Sequence, residues 1–143
     1  MFKHILVPTD GSKLSEKAIK HAMQLASQLE ARVTAMHVVF RPSSNQLDLL
    51  GMTAGEYDKA RAESAQKFLQ YAKGAASAAR VACDARQASG DHPYKEIIKA
   101  AQKNGCDLIL MASHGRHGIK GFLLGSETQK VLTHSTIPVL VYR

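Results

Sequence analysis

A chain of 143 residues has the length of one domain and leaves no room for a second. Apolar residues at 45% and charged residues at 22% match ordinary globular usage and exclude the disordered and collagen-like classes. Lys and Arg outnumber Asp and Glu by 19 to 12, a net charge of +7 that suits anionic partners, while 6% aromatics and no Trp argue against a stacking platform for single strands.

The longest apolar runs are a handful of residues, too short to span a membrane, and Met1-Phe2-Lys3-His4 leads into a strand-like segment without a signal-peptide pattern. A soluble, cytoplasmic protein with no membrane partner is expected. The positive excess is mostly dispersed: Lys13, Lys17 and Lys20 share a helix with Glu16, and Lys59 and Arg61 alternate with Asp58 and Glu63. Cys83 and Cys106 lack CxxC spacing and a His/Cys cluster, so both read as buried, reduced thiols.

In chain order, His4-Ile5-Leu6-Val7-Pro8 is a short β-branched run of the kind buried on both faces of a sheet. Asp10-Gly11-Ser12 breaks it, and Leu14, Ala18, Ala22, Leu25 and Leu29 follow at helical spacing. Arg32 to Phe40 reads as a second buried strand, and Pro42 to Gly55 as a loop excursion. Glu56 to Ala79 is an Ala-rich helix with Tyr57, Ala60, Ala65, Phe68, Leu69 and Ala72 inward. Val81, Cys83 and Ala85 alternate with polar residues, as on a strand near a sheet edge. Asp91-His92-Pro93 opens a helix with an acceptor and an early Pro; Ile97, Ile98 and Ala101 give its apolar face, and Asn104-Gly105 ends it. Asp107 to Ala112 is another buried strand, Gly115 to Gly125 a glycine-punctuated loop, and Ser126-x-x-Gln129 a capping box opening a short helix. Ile137 to Tyr142 closes the chain as a strand, with Pro138 near its start. The order βαβαβαβαβ requires crossovers between parallel strands, hence an α/β, doubly wound open parallel sheet with helices on both faces, a single domain over 1–143.

In such a sheet, ligands bind beyond the carboxyl ends of the strands, where the winding direction switches. Two loops there are unusual: Pro8 to Ser12, and Ala112 to Ser126. If strands one and four are neighbours, the two loops meet at one crevice. The second has the chemistry of a polyphosphate cradle: glycines admit close backbone approach, Gly125-Ser126 precedes a helix whose free N–H groups favour anions, and Ser113, Ser126, Arg116 and Lys120 add donors. The plainer reading is that the glycines only make turns and Ser126 only caps its helix. Neither GxxxxGK[ST] nor GxGxxG is present, so a Walker-type NTPase or dinucleotide enzyme is not indicated. Asp10 either accepts from a ribose or base or caps the following helix. His37, inside a strand, reads as a packing residue. His114 and His117 suit phosphate binding better than catalysis, because no carboxylate at usable spacing orients them, and two histidines alone make no metal site.

On these residues the chain resembles the universal stress protein family over nearly its full length. The resemblance rests on Ile5 to Ser12, His37-Val38, Gly90-Asp91, Asp107 to Ser126 and Ile137 to Val141. The ATP-binding branch carries G-x2-G-x9-G-[S/T]; Gly115, nine residues, then Gly125-Ser126 match its second part, and Ala112 stands for the first glycine. The resemblance implies strand order 3-2-1-4-5 and ATP as ligand, with Mg²⁺ held through the phosphates. It implies Pro8, Thr9 and Asp10 at the adenine and ribose end, Val38 meeting adenine through its backbone, and Met111, Ala112, Ser113, His114, Gly115, Arg116 and His117 around ribose and phosphates. Gly125, Ser126 and Glu127 would finish the cradle. It also implies a homodimer through the C-terminal strand 137–142, acting as a stress sensor or regulator, with a further protein partner unidentified and no catalytic residue. The rival readings are a slow ATPase or phosphotransferase at the same site and a nucleotide-free interaction module. DNA binding rests on net charge alone, with no reading helix.

Overall fold

The computed structural model describes residues 1–116 and 124–143. Five parallel strands stand in the order β3-β2-β1-β4-β5, with β1 His4–Pro8, β2 Arg32–Phe40, β3 Cys83–Gly90, β4 Leu108–Ala112 and β5 Val139–Tyr142. The expected strand order and fold class are therefore present. Side-chain alternation sorts the core into two layers. Ile5, Val7, Val33, Ala35, Leu108 and Leu110 face α1 (Lys13–Leu29) and the later turns of α3 (Ala54–Ala79). Leu6, Met36, Ile109 and Met111 face α4 (Pro93–Lys103) and α5 (Ser126–His134). β1 and β4 are central and buried on both sides, which is why their sequences are unbroken apolar runs.

Several local expectations need correction. The stretch read as a loop from Pro42 to Gly55 contains α2, Ser44–Leu50, opened by a capping box in which the Ser43 hydroxyl accepts from Gln46 N–H and the Gln46 side chain accepts from Ser43 N–H. None of its residues is buried, so no apolar face marked it as helix. A second box, Thr53 with Glu56, starts α3 at Ala54 rather than Glu56. Ala60 is exposed, because α3 extends past the sheet at that end and only Tyr57, Ala65, Ala72 and Ala76 are fully inward. Conversely, Ser126-x-x-Gln129 is not a capping box. α5 begins one residue earlier than that motif requires: Gly125 is the cap, its carbonyl accepts from Gln129 N–H, and the Gln129 side chain turns back to the Leu124 carbonyl. Asp91 does not cap α4 either; His92 holds the cap position without a side-chain hydrogen bond. Regular β5 starts at Val139, two residues later than expected, although the Pro138 carbonyl already accepts from Ile109 N–H. Cys106 is buried as expected, whereas Cys83 is only half-buried on the edge strand.

Candidate functional site: a crevice between β1 and β4

Pairing of β1 with β4 brings their carboxyl ends together, and the two unusual loops meet there around a cavity of about 320 Å³. Pro8, Thr9, Asp10, Val38, Met111, Ala112, His114, Gly115, Arg116, Gly125, Ser126 and Glu127 all line it. Ser113 does not: it is buried behind the wall, its N–H donating to Tyr142 and its carbonyl accepting from Gly125 N–H at 2.7 Å. His117, with Lys120, falls outside the described residues.

The β1–α1 loop is held from within. Thr9 N–H donates to the Met36 carbonyl, and the Thr9 hydroxyl meets Ser15 Oγ at 3.0 Å while accepting from Gly11 N–H. Ser12, not Asp10, caps α1. That leaves the Asp10 carboxylate to join the two loops: one oxygen accepts from Ser12 N–H at 2.9 Å, the other from Arg116 N–H at 2.9 Å. Burial alone would raise the Asp10 carboxyl, but the hydrogen bonds from Ser12 and Arg116 outweigh it and hold the group below its ordinary value of 3.8. Asp10 is an anion at the β1 end of the crevice.

The opposite end has the reverse polarity. Gly125 caps α5 without a side chain, so among the described residues no cap side chain accepts from the first turn of the helix, whose N–H groups favour an anion. Gly125 has an ordinary backbone angle; what a side chain would meet is tight space, since a Cβ there would stand 3.2 Å from His114 Cα and 3.4 Å from the Ser113 carbonyl oxygen, so the backbone at His114 would have to give by a few tenths of an ångström. Gly115 is needed for a different contact, because its Cβ would run into the Asp10 carboxylate. Ala112, in place of the first motif glycine, ends β4 in register with Tyr142, and its carbonyl accepts from Thr128 Oγ1 at 3.0 Å. Its backbone is not left-handed, so the extra methyl introduces no backbone strain.

Two predicted residues have occupations of their own. The Glu127 carboxylate accepts from Tyr94 N–H at 2.8 Å, supplying in trans the cap that His92 does not give α4, and it pairs with Lys130 at 3.2 Å. The Arg116 guanidinium lies over the Phe68 ring of α3, 4.9 Å from its centre. The lining residues Ser15, His37, Pro93, Ile97 and Thr128 were not anticipated as site residues. His37 carries a readable reason: its Nδ1 donates to the Thr9 carbonyl at 2.8 Å, and its ring meets Phe68 edge-on, which ties β2 to the β1–α1 loop. A polar ring at the carboxyl end of a buried strand is a visible signal. Pro93, Ile97 and Thr128 reach the cavity only because α4 and α5 pack beneath it, and no local pattern shows that.

Among the described residues no group of three His, Cys, Asp or Glu side chains stands close enough to hold a metal ion, and no helix is long and apolar enough to cross a membrane.

Comparison with known proteins agrees with this fold. The model of the universal stress protein family matches residues 1–143. Universal stress protein YxiE of Bacillus subtilis is 35% identical over 149 aligned positions, covering 100% of both chains. Among solved structures, a universal stress protein of Methanocaldococcus jannaschii superposes with a TM-score of 0.84 at 31% identity, over 99% of this chain and 96% of that one. A universal stress protein crystallised in complex with cAMP gives 0.74 at 27% identity, over 99% and 97%. The chain belongs to the universal stress protein family.

Proposed function

We propose that the chain binds ATP in the β1–β4 crevice and acts as a homodimeric, cytoplasmic sensor or regulator of the stress response, with the nucleotide as ligand rather than fuel. The observation that carries this reading is the polarity of the crevice: a carboxylate acceptor, Asp10, at one end and the uncapped amino end of α5 at the other. A nucleotide has the complementary order, with ribose hydroxyls that donate and phosphates that accept. Pro8, Thr9, Asp10 and the Val38 backbone then take base and ribose. Met111, Ala112, His114, Gly115 and Arg116 follow the ribose and phosphates, and Gly125 and Ser126 close on the phosphates. Glu127 contributes through its backbone N–H, because its carboxylate is engaged with Tyr94 and Lys130 and would repel phosphate. Mg²⁺ enters already bound to the phosphates. The cAMP complex of a family member supports a nucleotide as the ligand class.

Hydrolysis is slow in this reading, well below the ~10 s⁻¹ median of dedicated enzymes. The backbone N–H groups hold the ground-state phosphates, and among the described residues no cation or base is reserved for charge that develops only in the transition state. The dimer forms through β5, a short apolar edge strand with Leu140 40% exposed, whereas the other edge, β3, carries Asp84 and Arg86. Leu140→Lys is therefore expected to shift the protein to monomer in sedimentation.

Calorimetric titration with Mg-ATP tests the site. Saturable binding to the wild type, weakened on the order of tenfold or more in Gly125→Val with the fold retained, is the expected result. No heat up to millimolar ATP sinks the nucleotide reading; undiminished binding to Gly125→Val sinks the placement.

A further inference from the structure

A second recess, of about 490 Å³, opens at the carboxyl ends of β2 and β3, under α2 and the first half of α3, and shares no lining residue with the crevice. The register sets His37 opposite Gln87 and Val39 opposite Ser89, so alternation sends Val39, Gln87 and Ser89 to the α3 side of the sheet. Two arginines stand in this recess, each held by a neutral partner. Arg41 Nε donates to Ser89 Oγ at 3.0 Å. The Arg61 guanidinium lies over the Tyr57 ring, 5.1 Å from its centre, and Tyr57 is itself fixed by donating its hydroxyl to the Phe40 carbonyl at 3.1 Å. Asp58 lies on the same wall, yet neither arginine forms an ion pair with it or with any other described carboxylate. The remaining guanidinium N–H donors of both are therefore oriented and free of an acidic partner. With two arginines and the single carboxylate of Asp58 in its lining the recess keeps a net positive charge, and paired planar forks match the oxygens of a phosphate.

We propose that this recess is a second ligand site that takes the phosphate of a small phosphate monoester, clamped by Arg41 and Arg61, with its organic part against Val39, Pro42 and Leu47. A dianion answers the two unpaired cations better than a carboxylate, which brings one charge and leaves the other guanidinium unmatched. Ser89 and Gln87 supply neutral hydrogen-bonding groups beside the phosphate. The proposal does not depend on the reading of the β1–β4 crevice, because no residue is common to the two.

The test is a titration of the full ¹⁵N-labelled chain with phenyl phosphate, and with benzoate as the singly charged counterpart. The reporters are the Nε–H signals of Arg41 and Arg61 and the side-chain amide of Gln87, which are separate from those of Gly115 and Gly125. Saturable shifts at the three reporters are expected, tighter for phenyl phosphate than for benzoate and weakened by added salt. Arg61→Ala should weaken binding on the order of tenfold or more, and Arg61→Lys by less, since it keeps the charge and loses the planar fork. Shifts confined to the crevice glycines overturn the proposal, as does undiminished affinity in Arg41→Ala/Arg61→Ala. Equal affinity for benzoate overturns the phosphate assignment. Should an alanine variant lose its fold, the benzoate and salt comparisons on the wild type still decide.

Discussion

Two aspartates join β1 to β4, one at each end of the pair. At the amino end, Asp107 accepts from the N–H groups of Lys3 at 2.8 Å and His4 at 3.0 Å. At the carboxyl end, Asp10 accepts from Ser12 and Arg116. In both, burial works to raise the carboxyl and backbone hydrogen bonds bring it below its ordinary value. The surroundings differ. Around Asp107 the space is filled: His4, Thr34 and Cys106 are buried beside it, and His4 Nε2 meets Thr34 Oγ1 at 2.7 Å. Burial there also pushes the Cys106 thiol up to about 11, leaving it an unreactive packing group. Around Asp10 the carboxylate itself fills the place a Gly115 side chain would take, and a cavity opens beside it. The same device that staples two strands at one end becomes, beside a glycine and an uncapped helix, part of a recess at the other.

The largest effect should come from removing the staple that has no second role. Asp107→Ala leaves two N–H groups without their charged acceptor, and a loss of about 2–3 kcal/mol in chemical denaturation is expected. ATP affinity should stay within about twofold of wild type. A drop in affinity without a drop in stability would break the contrast between the two ends.

Asp10→Ala should lower both. Stability falls by about 2 kcal/mol, since Ser12 N–H is half-buried and Arg116 N–H exposed, as His4 N–H and Lys3 N–H are at the other end. ATP affinity falls on the order of tenfold or more in calorimetry, because the acceptor end of the crevice is gone.

Much of this contrast is legible in the sequence, and the rest fails for physical reasons. The unbroken runs at Ile5–Val7 and Leu108–Met111 announce strands buried on both faces, and the breaks after them announce the crevice. Asp10 and Asp107 each flank such a run, but no pattern says that their acceptors would be backbone groups of the neighbouring strand or loop, since that depends on the β1–β4 register. α2 is hidden because its stability lies in a capping box rather than a buried face. The motif at Ser126-x-x-Gln129 misleads for the opposite reason: the pattern is present, but the helix starts one residue earlier and Gln129 is spent on Leu124. Glu127, placed by resemblance among the phosphate ligands, reveals its trans cap only once α4 and α5 are side by side.

Gly115→Ala sharpens the comparison further. The new methyl runs into the Asp10 carboxylate, which two N–H groups hold in place, so a loss of about 1–2 kcal/mol is expected. With Asp10 already replaced by Ala, the obstacle is gone, and the same substitution should cost less than about 0.5 kcal/mol. Denaturation of the four proteins in this cycle measures the coupling directly. Additive losses would mean that Gly115 answers to some neighbour other than Asp10.

The smallest effects are in pH, and they separate the two ends by window. For Asp10 and Asp107 the folded pKa lies below 3.8, so their stabilisation is complete above that pH and is lost as pH falls through the folded values. The stability difference between wild type and Asp10→Asn should therefore stay constant from pH 5 to 7 and shrink below about 3.8; that for Asp107→Asn shrinks in the same low window and also changes below pH 6.5, because Asp107 acts on His4. His4 adds a window at the amino end alone. Burial and nearby Arg32 lower its pKa below 6.5, against weaker opposing contributions from the Asn104 backbone, Asp107 and Asp84, and among the described residues its buried Nδ1 has no hydrogen-bond partner. The folded state favours the neutral ring, so stability is highest above pH 6.5 and declines as pH falls, levelling once the folded ring also takes a proton. A shallow decline below pH 6.5 should thus appear in the wild type and in Asp10→Asn and vanish in His4→Gln. A decline that persists in His4→Gln would place the titrating group elsewhere and remove this asymmetry between the closed and open ends of the sheet.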